Sequence, residues 1–167
     1  TVLEAQQPFW GASGRNGGFC CLGGSKAGYS DMKRMFGEEE ARKWFKTERA
    51  AVEFVGDLID RLHLDVDKHS DGETLLAHRP SDLEEMKESL DLTRSLYGVE
   101  PELIPPDQLA QAGLKGPFHG AMNTPLGFAL NPRKYASGLA QSAKSAGVTI
   151  YGESAVTGVE TQSGGEY

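Results

Sequence analysis

The sequence predicts an α/β fold with an α+β insertion, and three observations lead to this prediction. Short apolar segments suited to buried strands lie near both ends of the chain, at residues 1–4 and 148–151. A helical pattern over residues 131–146 leads directly into the second of these strands. Residues 38–130 between them carry long amphipathic helices and further short strands. Strands that alternate with helices favour a parallel sheet, and the central segment is then an insertion.

The first strand, residues 1–4, is too short for a helix and ends in an acid, Glu4. Residues 11–28 read GASGRNGGFCCLGGSKAG, a glycine density that excludes a stable regular helix. A flexible linker is the ordinary interpretation of such a segment. The apolar run at residues 19–22 argues for a folded loop instead.

Two helices are predicted in the central segment. Residues 38–62 repeat apolar side chains at helical spacing and begin with three glutamates, which the helix dipole favours there. The second helix is predicted to begin at Ser81, because Ser81-Asp82-Leu83-Glu84 fits a capping box, and to end at Gly98. A strand at residues 74–78 lies between them, and residues 105–111 are predicted to be helical.

The last third of the chain is predicted to return to the sheet. Residues 119–124 and 127–130 are predicted to form a hairpin around Pro125-Leu126. Asn131 followed by Pro132 is typical of a helix start, and Gly147 of its end. Apolar strands are expected at residues 148–151 and 155–161.

Composition excludes several classes of protein. The 167 residues are 38% hydrophobic and carry a net charge of −7, which argues against a nucleic-acid partner. A run of about 18 apolar residues, as a membrane-spanning helix needs, is missing from the sequence. The only cysteines, Cys20 and Cys21, are adjacent, so the pattern indicates neither a disulfide framework nor a zinc site. The four histidines lack metal-binding spacing, and the expected location is cytoplasmic.

Two features carry candidate binding chemistry. Glu4 ends a predicted strand, where a dinucleotide-binding fold places an acid that accepts hydrogen bonds from ribose; a solvated acid would give the same pattern. The loop after it supplies small residues, backbone donors, a hydroxyl and an amide that suit phosphate or ribityl oxygens. Arg15 either adds a charge-assisted contact or forms a salt bridge to a neighbouring helix. The predicted loop residues are Ser13, Gly14, Arg15, Asn16, Gly17 and Gly18.

Together these motifs resemble the FAD-dependent oxidoreductases of the glycine/D-amino-acid oxidase family. VLEA, then GASGRNGG, then LNPRKYA, AGVTIY and SAVTGV occur in this order along nearly the whole chain. The similarity is closest to the bacterial branch that contains gamma-glutamylputrescine oxidoreductase. Val156 is similar to the family residue whose backbone pairs with the adenine edge, although a buried strand valine would give the same sequence.

The resemblance implies a partial FAD-binding, Rossmann-like domain plus part of a substrate domain. Residues 1–37 and 131–167 are assigned to the FAD-binding domain and residues 38–130 to the substrate domain. The strand at residues 1–4 should lie parallel to the strand at residues 148–151. The family's pyrophosphate loop would precede Val2, so the chain is expected to be an internal fragment that is inactive and without FAD by itself.

By the same resemblance, the intact protein oxidises an amine or amino acid by hydride transfer to FAD. No catalytic residue is identified from the sequence. A non-catalytic binding module that reuses the fold is an alternative from another class. A nicotinamide-dependent dehydrogenase is a second alternative, disfavoured by the long insert after the glycine loop. Apolar surface left by absent segments would favour a homo-oligomer.

Overall fold

A computed structural model describes residues 1–24 and 27–160. The chain divides into two compact units. Unit 1 comprises Thr1–Gly18, Ile59–Asp67 and Leu130–Tyr167, and unit 2 comprises Phe19–Leu58 and Lys68–Ala129. Compact units reflect packing within the chain, whereas the predicted domains concern the binding of FAD and substrate, so the domain assignment stays a prediction.

Unit 1 contains a two-stranded parallel sheet. Strand β1 (Val2–Leu3) pairs with β7 (Ile150–Tyr151), with Val2 opposite Ile150. The predicted parallel pairing of the first strand with the strand after the last helix is therefore confirmed. A 3₁₀ helix (Ala12–Gly14) and helix α4 (Pro132–Ser145) belong to the same unit. The strand–helix–strand order of the sequence is thus realised as a parallel α/β arrangement.

Helix α4 begins as the sequence predicts. The Asn131 side-chain oxygen accepts a hydrogen bond of 3.1 Å from the Lys134 backbone N–H, and Pro132 occupies the first helical position. The Lys134 ammonium contacts the carboxylates of Asp65 and Asp67 at 3.0 and 2.6 Å. These contacts fix the start of α4 against residues 64–67 of the same unit.

Unit 2 contains two sheets and most of the helical residues. Strands β3 (Glu73–Leu76), β4 (Glu102–Ile104) and β5 (Ala121–Thr124) form an antiparallel sheet with β5 in the centre. Strands β2 (Phe19–Cys21) and β6 (Gly127–Ala129) form a second antiparallel pair. Strands β2 and β4 were not expected from the sequence, because each is only three residues long.

Three helices complete unit 2 apart from the last turn of α2, which lies in unit 1. They are α1 (Tyr29–Phe36), α2 (Glu38–Arg61) and α3 (Pro80–Tyr97). The predicted long helix at residues 38–62 is confirmed. Helix α1 was not predicted, because it is short and directly follows the glycine-rich segment. Buried side chains of these helices form a core cluster of Met32, Ala41, Phe45, Leu96 and Tyr97. No helix within residues 1–24 and 27–160 combines the length and apolar character needed to cross a membrane.

The start of α3 differs from the prediction. Arg79, and not Ser81, is the capping residue, and Pro80 takes the first helical position. The Asp82 carboxylate accepts hydrogen bonds of 3.0 Å from the backbone N–H groups of His78 and Arg79. An acid that satisfies these two donors outweighs the serine pattern. The predicted end at Gly98 is confirmed, since this residue adopts the left-handed conformation with φ 62°.

The predicted hairpin at residues 119–130 is wrong. Strand β5 pairs with β3 and β4, whereas β6 pairs with β2 in a different sheet. Pro125 offers no amide donor after β5, and Gly127 has φ 116°, so the chain changes direction between the strands. Residues 106–113 form turns in place of the predicted short helix, and residues 155–160 form no strand. Thr161, the end of that last prediction, lies outside the described residues.

Candidate functional site in unit 1

Glu4 lies at the carboxyl end of β1, where the sequence predicts it. Its backbone N–H donates to the Tyr151 carbonyl oxygen at 2.9 Å, which extends the pairing of β1 with β7. One oxygen of the half-buried Glu4 carboxylate accepts a hydrogen bond of 3.0 Å from the Gln6 backbone N–H. The carboxylate keeps further lone pairs for a ligand hydroxyl. Its role toward ribose stays a prediction.

The glycine loop has an inner and an outer side. Ser13, Arg15, Asn16 and Gly17 are exposed, whereas Gly18 is buried and Gly14 is half-buried. A Cβ atom on Gly14 would overlap the carbonyl oxygen of Phe9. One on Gly18, which has φ 73°, would overlap the carbonyl oxygen of Leu130. These two glycines are therefore required by packing within the chain, which the sequence interpretation did not foresee.

Asn16 holds this loop in shape. Its side-chain nitrogen donates to the carbonyl oxygens of Ala12 and Ser13 at 3.0 and 3.1 Å. Its side-chain oxygen accepts from the Gly18 backbone N–H at 2.9 Å. Both ends of the amide are thus engaged within the loop, so the side chain organises the loop more than it offers free donors.

Arg15 points its charge into an exposed region of the loop. Its guanidinium lies 4.6 Å from the centroid of the Trp10 ring, a cation–π arrangement. The alternative of a salt bridge to a neighbouring helix is not observed among the described residues. Stacking on an aromatic ring leaves the N–H edge of the guanidinium available to an anion.

A cleft of about 400 Å³ lies beside this loop in unit 1. Glu4 and Ser13 line one part of it, and Leu139 and Ala143 of α4 line another. Of the predicted site residues, these two alone are among its described lining residues. The structure therefore brings Glu4 and Ser13 together, whereas residues 14–18 of the loop are not among the residues that line this cleft.

Val156 occupies a different environment from the one expected. The residue is 63% exposed, and residues 155–160 around it form no strand. A backbone outside any strand can form hydrogen bonds with the edge of a ligand. The surroundings of Val156 do not by themselves indicate a binding site. The adenine contact stays a prediction.

Sequence reasoning missed two aromatic residues that shape the site. Phe9 adopts φ 66°, which is uncommon for a bulky residue, and its carbonyl oxygen faces Gly14. Trp10 supplies the ring beneath Arg15. The proximity of Trp10 to Arg15 in sequence was the one available signal, and nothing in the sequence distinguishes the conformation of Phe9.

The donor set of this region fits FAD. An acid at a strand end suits ribose hydroxyls, and the exposed Ser13 hydroxyl and Arg15 guanidinium suit phosphate oxygens. Gly17 is exposed and carries no side chain, so a cofactor can approach its backbone. Within residues 1–24 and 27–160 no three His, Cys, Asp or Glu side chains are grouped to hold a metal ion.

Comparison with known proteins gives a consistent assignment. The chain is similar in structure to glycine oxidase from Bacillus cereus ATCC 14579, with a TM-score of 0.66 and 18% identity over 98% of this chain and 42% of that one. For L-amino acid deaminase from Proteus myxofaciens in complex with anthranilate the TM-score is 0.69, with 18% identity over 98% and 34%. For glycine oxidase from Geobacillus kaustophilus it is 0.64, with 20% identity over 91% and 39%.

These likenesses concern the fold, and the chain spans only 34–42% of the length of these proteins. No curated protein matches the chain. Residues 1–167 match the DAO family, described as FAD dependent oxidoreductase. With the parallel pairing of β1 and β7 and the loop that follows Glu4, this match shows that the chain belongs to the DAO family of FAD-dependent oxidoreductases.

Proposed function

We propose that this chain is part of an enzyme that oxidises an amine or an amino acid with FAD. The observation that carries the proposal is the placement of Glu4 at the end of β1, followed by a loop with Ser13 and Arg15 on its outer side. When bound, FAD would supply the hydride acceptor for oxidation of the carbon that bears the amine, and water would then hydrolyse the imine. The names of the structurally similar oxidase and deaminase support this substrate class.

Each predicted site residue receives a role in this proposal. Glu4 accepts hydrogen bonds from ribose hydroxyls, and Ser13 and Arg15 bind phosphate oxygens. Asn16 holds the loop that presents them. Val156 offers its backbone to the adenine edge. The glycines divide by side: Gly17 allows close approach of FAD, whereas Gly14 and Gly18 allow the loop to pack.

The proposal extends to domain organisation and subtype. Residues 1–37 and 131–167 contribute to FAD binding, and residues 38–130 to the substrate domain. The subtype we propose is gamma-glutamylputrescine oxidoreductase-like, because the overall resemblance of the sequence is closest to that branch of the family. Small-molecule amines or amino acids are the proposed partners.

The decisive experiment is an FAD titration of the protein expressed from the full reading frame that contains this chain. Glu4→Gln is expected to weaken FAD binding about tenfold, because a neutral amide is a poorer acceptor for ribose hydroxyls. Glu153→Gln, an exposed acid of the same unit, is the matched control and is expected to leave FAD affinity unchanged. Equal effects of the two substitutions, or binding of a nicotinamide dinucleotide in preference to FAD, would refute the proposal.

A further inference from the structure

A second cleft, of about 270 Å³, lies within unit 2 between strand β2 and helix α2. Phe19, Cys20 and Cys21 line it from the strand, and Val52 and Val55 line it from the helix. Glu48 is the one acidic side chain among its described lining residues. Burial raises the pKa of Cys20, and burial together with Glu73 raises that of Cys21 to about 11, so both thiols are neutral near pH 7. The cleft is therefore apolar apart from one carboxylate.

The Glu48 carboxylate is fixed in place by two hydrogen bonds. One oxygen accepts from the Gly24 backbone N–H at 3.1 Å, and the other accepts from the Tyr97 hydroxyl at 2.9 Å. Tyr97 is itself buried in the helical core, where it stacks edge-on against Phe45. A carboxylate held by two donors needs less reorganisation to receive a ligand, since part of its side-chain freedom is already lost.

Glu48 is also unusual in its position along α2. Phe45 and Val52, three residues before and four after it, are both buried on the inner face of the helix. A partly buried charge at such a position needs hydrogen bonds or an opposite charge to offset its lost solvation. Within the described parts of the chain, Glu48 forms no ion pair, although both its oxygens accept hydrogen bonds.

We infer that this cleft binds the cationic end of an aliphatic amine, with Glu48 as the counter-ion and the apolar walls around the carbon chain. Each carboxylate oxygen retains lone pairs that can accept from an ammonium group. Phe19 lines the cleft and is 79% exposed as a residue, and its ring adds an aromatic face that attracts cations. An anionic ligand would be repelled by the half-buried carboxylate, and a neutral ligand would leave it without an opposite charge. The inference deepens the proposed function, on which it rests for the amine class of substrate.

The test is direct binding, measured by calorimetry on the protein expressed from the full reading frame. Butylamine and 1-butanol are compared, because they share a carbon chain and differ in charge. Butylamine is expected to bind at least about tenfold more tightly than 1-butanol, which corresponds to about 1.4 kcal/mol for a charge-assisted contact. Equal binding of the two, or no binding of butylamine, overturns the inference without any variant being needed.

Substitutions then locate the site. Glu48→Gln removes the charge and can keep both hydrogen bonds, since its amide oxygen accepts from Gly24 and its NH₂ group donates to the Tyr97 hydroxyl oxygen. It is expected to abolish the preference for butylamine. Glu39→Gln, on the exposed side of the same helix, changes net charge equally and is expected to preserve the preference. An equal loss in both variants, or none in Glu48→Gln, rejects Glu48 as the counter-ion.

A third variant covers the case in which Glu48→Gln fails to fold. Tyr97→Phe keeps the carboxylate and removes one of its donors, so butylamine binding is expected to remain within about threefold of the wild type. Loss of the preference in this variant, with its thermal midpoint unchanged, would contradict the inference. The two proposals can fail separately. Loss of FAD binding with butylamine binding intact refutes the proposed function, whereas FAD binding without butylamine binding refutes amine binding in the cleft.

Discussion

Substitution of Gly18 by alanine should destabilise the fold, independently of any cofactor. Gly18 has φ 73°, which costs an alanine roughly 1–2 kcal/mol relative to glycine. An added Cβ would also lie well within 3.0 Å of the Leu130 carbonyl oxygen, so residues 18 and 130 must separate. Their separation strains the 2.9 Å hydrogen bond from the Leu130 N–H to the Gly18 carbonyl oxygen, worth about 1 kcal/mol. The expected loss is about 2–3 kcal/mol.

Urea unfolding followed by tryptophan fluorescence and circular dichroism measures this loss as a fall in the midpoint at constant m-value. Gly11→Ala is the matched control in the same loop. Nothing lies within 4 Å of a Cβ at Gly11, and the expected change there is below about 1 kcal/mol. If the two variants lose equal stability, the packing argument for Gly18 is incorrect. FAD affinity is measured separately, since a glycine that serves only the cofactor would change affinity and leave the unfolding midpoint of the apoprotein unaltered.

Three further predictions concern other parts of the chain. Asn131→Ala removes the cap of α4 and should cost about 1 kcal/mol in urea unfolding, whereas an unchanged midpoint would show that the cap is dispensable. Hydrogen bonds from Lys33, Tyr29 and Arg42 lower the pKa of Glu38 to about 2, below the unfolded value of about 4.3. The ionised Glu38 therefore contributes its full stabilisation above the unfolded pKa and loses it as pH falls toward 2. The difference in unfolding free energy between wild type and Glu38→Gln should shrink with acidification. A difference that stays constant with pH would contradict this. Because the pKa of Cys21 is raised to about 11, its alkylation rate should keep rising with pH beyond the range of an ordinary thiol, and a plateau near pH 9 would count against its buried setting.

Strong local signals predicted much of the fold. The helical periodicity of residues 38–62, the Asn131-Pro132 start of α4 and the end of α3 at Gly98 depend on contacts within a few residues, so they were predictable. The start of α3 was misassigned, because the Asp82 carboxylate satisfies the backbone donors that the Ser81 pattern was expected to serve. The prediction that β5 pairs with β6 was wrong, since the partners of a strand depend on packing with distant segments and not on the intervening turn alone.

The candidate site shows the same division. The residue types at Glu4 and in the loop from Ser13 to Gly18 were readable from the sequence, as was the family they resemble. The packing on the inner side of the loop could not be predicted. Gly14 and Gly18 lie so close to the carbonyl oxygens of Phe9 and Leu130 that a Cβ atom would overlap them, and Leu130 is more than a hundred residues away in sequence.

The sequence by itself determined the family and the parallel pairing of the first and last described strands. It also identified the acid and the glycine loop to which we assign the cofactor contacts. These features could be predicted because each depends on a short, contiguous motif whose residue types indicate its chemistry. Only the tertiary structure decided which glycines face the chain and which face outward. It also placed Glu48 against Gly24 and Tyr97, contacts that span 24 and 49 residues of sequence. Such juxtapositions arise from the packing of whole elements, and that packing is determined by side chains too far apart in sequence for any local pattern to register.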